Sequence, residues 1–164
     1  MFVYDNIATE GPATFDWLLH ALEEMTVEPD AGEVTIRRGR ARLAVKLLSA
    51  VPVDFSQTRG FPVPPEERAT GAPDQWHLAA RTRSPAVEAK FLAALVPYRA
   101  EEKRPEIAAI TDGSAAGLRI GDTRIAVWWK SGGQGNIDME GLRGTGRLVI
   151  ETPDGQTKLS VVHR

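Results

Sequence analysis

The chain has 164 residues, 42% hydrophobic and 26% charged, a balance that fits one ordinary globular domain and excludes a disordered chain. Its formal net charge of −2 lacks the basic excess of a nucleic-acid-binding protein, so nucleic acid is not an expected partner. With no cysteine, disulfides and thiolate metal sites are excluded, and no apolar run approaches the roughly 20 residues that a membrane helix needs.

No basic segment followed by an apolar stretch opens the chain, so no signal peptide is expected in it. Phe2-Val3-Tyr4-Asp5-Asn6-Ile7 reads as a first strand ending at Asp5, and residues 14–20 read as a second. Alternation in that second strand puts Phe15, Trp17 and Leu19 on one face and Asp16, Leu18 and His20 on the other. Val34-Thr35-Ile36-Arg37 then leads through Arg38-Gly39-Arg40 into residues 41–47, a hairpin with glycine at its turn. Its alternation predicts Leu43, Val45 and Leu47 inward, with Arg40, Arg42 and Lys46 outward. Residues 57–73 carry four prolines and Glu66-Glu67-Arg68, so they read as a long surface loop of the length often tied to function.

Residues 75–82 alternate again, with Trp76, Leu78 and Ala80 on one face and Gln75, His77 and Arg81 on the other. Residues 86–90 read as a single helical turn, too short to stand alone. The continuous apolar run 91–96, ended by Pro97, predicts a strand buried on both faces. Residues 99–105 are charged, end in proline and read as the joint between two sub-sheets. The last third reads as a meander. Residues 107–111 close at Asp112-Gly113, and 117–120 turn at Gly121-Asp122 into 123–129. Residues 142–151 and 158–162 flank the Pro153-Asp154-Gly155 turn, and the glycine-rich 131–136 read as a loop. Strands at this spacing, with no amphipathic helix, predict an all-β fold, an antiparallel β-sandwich. Residues 1–98 would form the sandwich and 99–164 a C-terminal β-meander packed on it.

The chemistry-bearing residues are few. The three histidines are His20, His77 and His163. Trp128 and Trp129 must face opposite ways on a strand, so one joins Ile125 and Val127 while the other shares a face with Arg124 and Lys130. That second tryptophan suits stacking on a sugar ring, docking against another domain, or burial under a loop or second sheet. Arg37, Arg38, Arg40, Arg42 and Lys46 crowd one hairpin, suited to sulfate or carboxylate groups or to a solvated face. His77, with Gln75 and Arg81, could extend a polar site. The cluster Gly132-Gly133-Gln134-Gly135 lacks the lysine-serine ending of a phosphate loop, and no glycine-serine elbow supports a hydrolase.

Taken together, the opening strand, Phe15-Asp16-Trp17-Leu18-Leu19-His20 and the hairpin after them resemble the β-sandwich of the heparinase II/III-like polysaccharide lyases. Asp74-Gln75-Trp76-His77-Leu78 and residues 91–97 are weaker echoes of the same pattern. The resemblance implies β-elimination on uronic-acid polysaccharides by a larger enzyme, whose catalytic groups lie on a helical toroid absent from this sequence. This chain would then be the non-catalytic sandwich portion, supporting polysaccharide binding, with an anionic polysaccharide or a helical lyase domain as partner. It also implies a zinc ion held by two histidines and an aspartate. Asp5 and His20 fall at the aspartate and second-histidine positions, the first histidine lying upstream of this pattern. A periplasmic or secreted setting is implied in the same way. Two other readings stay open. One is a stand-alone carbohydrate-binding module using Trp128, Trp129, Arg124, Lys130, Arg40, Arg42 and His77. The other is a structural domain that forms a homodimer through an unpaired strand edge.

Overall fold

The computed structural model describes residues 1–60, 73–130 and 134–159. The chain runs through β1 (Phe2–Ala13), β2 (Asp16–Ala21), β3 (Thr26–Glu28), a 3-10 turn (Pro29–Ala31), β4 (Glu33–Arg38) and β5 (Ala41–Ser49). It continues through β6 (Val53–Arg59), β7 (Trp76–Thr82) and β8 (Ala86–Arg99). The remaining strands are β9 (Ala108–Thr111), β10 (Ala115–Ile120), β11 (Thr123–Trp128), β12 (Gly135–Met139), β13 (Leu142–Gly146), β14 (Leu148–Thr152) and β15 (Gly155–Leu159). Among the described residues every strand pairing is antiparallel. The fold is all-β and sandwich-like, and among the described residues no helix is long and apolar enough to cross a membrane.

The strands form four sheets, ordered β1-β8-β5-β4-β3, β2-β7-β6, β15-β14-β11-β10-β9 and the hairpin β12-β13. Three apolar clusters show how they stack. Phe91, Ala93, Val45 and Leu47 from the first sheet meet Trp17, Leu78 and Ala80 from the three-stranded sheet. From the opposite face of the same strands, Leu92, Ala94 and Ala44 meet Leu118, Ile125 and Val127 of the other five-stranded sheet. That sheet's far face, through Ile110, Ala126 and Val149, is covered by Ile137, Met139 and Leu142 of the β12-β13 hairpin.

Central strand β8 therefore has no solvent face over its middle. This is why its sequence reads as an unbroken apolar run rather than an alternation. Burial of Leu92 and Ala94 at 0% exposure, beside Phe91 and Ala93 at 1%, matches the expectation for residues 91–94, whereas Leu95 and Val96 are half-buried and the strand runs on through Pro97 to Arg99. Residues 86–90 are not a helical turn, however. They belong to β8, where Glu88 pairs with Ala8 and Lys90 with Asn6, and ladder pairing on β1 outweighs their local helical preference. Asp5 lies within β1 rather than at its end.

The β4-β5 hairpin turns through Gly39 and Arg40, with Gly39 at φ +56°. Lys46 does not point into open solvent. Its side chain is 13% exposed and its ammonium pairs with Glu33 at 3.1 Å, because the first sheet is covered on both sides. Residues 100–107 join β8 to β9 and so connect the two five-stranded sheets, as the charged 99–105 segment predicts. Arg104, in this joint, holds Glu33 at 2.7 Å. Burial opposes ionisation of Glu33, but hydrogen bonds from Lys46 and Arg104 outweigh it and hold its carboxyl below the usual range.

The single strand predicted over 142–151 is two. The backbone breaks at Gly146, whose φ of +154° suits glycine, so that β13 pairs with β12 while β14 pairs with β11. Strand β15 starts three residues before the predicted 158–162, in a hairpin whose loop is Pro153-Asp154. Most of the predicted 57–73 loop, half of the 131–136 loop, and His163 lie outside the described residues. Gln57, Thr58 and Arg59, read from sequence as the start of that loop, are the last residues of β6.

Candidate functional site

The outer face of the three-stranded sheet carries an open depression of about 700 Å³. Alternation builds it. Trp17, Leu19, Leu78, Ala80 and Phe55 turn toward the first sheet, so their neighbours in sequence turn outward. Register then arranges the outward side chains in three rungs. His20, His77 and Thr58 form the first, Leu18, Ala79 and Ser56 the second, and Asp16, Arg81 and Asp54 the third.

The rungs differ in chemistry. In the first, the imidazole rings of His20 and His77 meet edge to face with centroids 4.5 Å apart. The second rung is mild, its apolar member Leu18 being 58% exposed. In the third, Arg81 donates from Nε and Nη2 to the two carboxylate oxygens of Asp16, both at 2.7 Å. That hydrogen bonding holds the Asp16 carboxyl below the usual carboxylate range and raises the guanidinium of Arg81 in turn. Arg83, at the rim, donates to Asp54 at 2.8 Å, with the two side chains 61% and 68% exposed. An exposed pair of this kind contributes about 0–1 kcal/mol, so an incoming carboxylate or sulfate can exchange for Asp54 at small cost.

Of the residues singled out from sequence, His20, His77 and Arg81 share this face, and the others are dispersed. Trp129, half-buried, packs against the core between the two five-stranded sheets, and Trp128, also half-buried, packs against the cluster under the β12-β13 hairpin. The face predicted to turn outward with Arg124 is thus covered by a further layer. Gly135 lies directly on the Trp128 ring, where any side chain would run into the indole carbons. Arg124 donates to the Glu140 carbonyl and pairs with Glu151 at 3.4 Å. Lys130 is exposed beside a separate depression shared with Trp129 and Lys90. Arg40 pairs with Glu101, and Arg42 donates to the carbonyls of Gly39 and Ala41, so both are engaged at the hairpin tip.

Asp5 and His20 do not converge on one ion. Asp5 shares the inward face of β1 with Val3, which packs on the core beneath the three-stranded sheet, whereas His20 lies on that sheet's outer side. Asp5 also pairs with Phe91, while His20 borders Leu43, whose partner is Pro97. Among the described residues no group of three histidine, cysteine or acidic side chains could hold a metal ion.

Two features escaped the sequence reading. Val53-Asp54-Phe55-Ser56 alternates cleanly and supplies one side of the depression, a signal present but next to a proline-rich stretch. Lys90, amid an apolar run, is 2% exposed. Its ammonium donates to the carbonyls of Trp129 at 3.2 Å and Lys130 at 2.8 Å and pairs with Glu88 at 3.1 Å. Three partners occupy its three protons, which makes it a clamp from β8 onto the end of β11 rather than a nucleophile.

No family model matches the chain, and no curated protein matches it.

Proposed function

We propose that this chain is the non-catalytic β-sandwich portion of a heparinase II/III-like polysaccharide lyase, and that it offers the outer face of β2, β7 and β6 to uronic-acid polysaccharide. The observation that carries the reading is where the Phe-Asp-Trp-Leu-Leu-His stretch sits. Its alternate members Asp16, Leu18 and His20 line the 700 Å³ depression, beside His77, Arg81 and Arg83. A shallow, open, partly polar surface of this kind suits a chain of sugars better than a small enclosed ligand. Arg81 and Arg83 supply forked donors that recognise carboxylate and sulfate; Arg83 is held by an exposed Asp54 that a ligand can replace, while Arg81 is anchored by its bidentate pair with Asp16. Leu18 offers an apolar patch for a sugar ring face.

The lyase role is tested by mixing the chain with the separately produced helical toroid of a lyase of this type. Unsaturated uronate product is followed by its ultraviolet absorbance. The expected result is no product from this chain alone and more product from the mixture than from the toroid alone. Product from the isolated chain, or no gain in the mixture, would overturn the reading.

A further inference from the structure

A second depression, of about 350 Å³, begins where the first one ends, and His20 borders both. We infer that this second depression is the anionic anchor of one continuous polysaccharide track, with Arg38 holding a carboxylate or sulfate of the chain just past His20. The inference rests on the polysaccharide reading and names where the charge of that ligand is met.

Charge balance carries it. Among the described residues lining the first depression, Asp16 and Asp54 balance Arg81 and Arg83, so an anionic polymer gains no net attraction there. Arg37 and Arg38 line the second, with no acidic side chain among its described lining residues. Both arginines are exposed, and among the described residues neither has an ion pair. A ligand oxygen meets them without displacing an aspartate, unlike at Arg83. A guanidinium with its fork free is the side chain best suited to a carboxylate or sulfate.

Strand alternation selects Arg38 of the two. Ile36 packs on the core beneath the three-stranded sheet, so Arg38, two residues on, leaves β4 on that same side. Arg37 leaves on the other side, opposite Arg42. Half-buried Ile36 and Leu43 give the second depression an apolar wall for a sugar ring face, and Gln75 adds an amide. The Asp16–Arg81 rung and the His20–His77 rung are four residues apart along β2, about 13 Å, and the second depression extends the track beyond that. A ligand that fills the track is therefore a chain of sugars rather than a single one.

The test is calorimetric titration with heparan sulfate, alginate and chondroitin sulfate of the wild-type chain, Arg38→Gln, Arg38→Glu and Arg143→Gln. The last removes an exposed cation from β13, outside both depressions. For the polymer that wild type binds, affinity should fall at least threefold in Arg38→Gln and further in Arg38→Glu. It should change less than threefold in Arg143→Gln, and thermal melts should show all three variants folded. Binding that Leu18→Glu abolishes but Arg38→Gln leaves within threefold would overturn this inference alone. An equal loss in Arg143→Gln would mean attraction spread over the whole surface and would overturn it too. No saturable binding by wild type would remove the polysaccharide reading and this inference together.

Discussion

Replacing Lys90 by methionine should destabilise the protein by about 3 kcal/mol. The apolar stem of the side chain is conserved in size, so the perturbation is confined to the ammonium. Two backbone carbonyls, of Trp129 and Lys130, lose a charged donor at 3.2 and 2.8 Å. Hydrogen bonds to charged groups contribute roughly 1.5–3 kcal/mol each. Glu88, 28% exposed, can turn to water, so its loss adds little. Relief from burying an ammonium offsets part of the sum, and breaking buried pairs by removing one partner costs about 3–5 kcal/mol. For a domain of this size, 3 kcal/mol lowers the melting temperature by roughly 6–12 °C. Urea unfolding of Lys90→Met beside wild type measures the difference directly. A Lys90→Met stability within 0.5 kcal/mol of wild type would refute the clamp.

Other substitutions separate the layers of the fold. Leu92→Ala removes a fully buried side chain between the two five-stranded sheets and should cost about 2–5 kcal/mol, read by the same unfolding curves. Leu18→Ala, on the exposed rung, should stay within about 0.5 kcal/mol of wild type. Gly135→Val drives a side chain into the Trp128 ring and should cost about 1–3 kcal/mol while weakening the near-ultraviolet circular dichroism of the tryptophans. Glu33→Gln should cost about 1 kcal/mol at neutral pH, a screened value for a pair near the surface. Because the folded carboxyl titrates below its unfolded value, that contribution is whole above the ordinary carboxylate range. It is lost as pH falls through the folded value, so the wild-type and Glu33→Gln stabilities should converge in acid.

Much of the fold was legible because burial patterns write themselves into strands. The run from Phe91 to Val96 is apolar at every position because alternate residues face two different sheets, and that reading carried over directly through Ala94. Trp128 and Trp129 show the limit. Their opposed directions follow from alternation, but the layer over Trp128 comes from β12 and β13, where Gly135 and Gly144 give a weak strand signal. Burial of the adjoining face was therefore invisible. The candidate site has the same character. Each strand's outward residues can be read locally, yet the meeting of His20 with His77, or Asp16 with Arg81, depends on register between strands far apart in the chain. Asp5 and His20 look adjacent in a motif, but β1 and β2 enter different sheets.

Calorimetric titration with heparan sulfate, alginate and chondroitin sulfate tests most directly whether the outer face of β2, β7 and β6 holds polysaccharide. Wild type and Leu18→Glu are compared, the latter placing a carboxylate in the middle rung at an exposed position. Saturable heat with at least one polymer, abolished in Leu18→Glu while its melting curve stays unchanged, is the expected result. No saturable heat from folded wild-type protein, or equal heat from Leu18→Glu, would contradict the account.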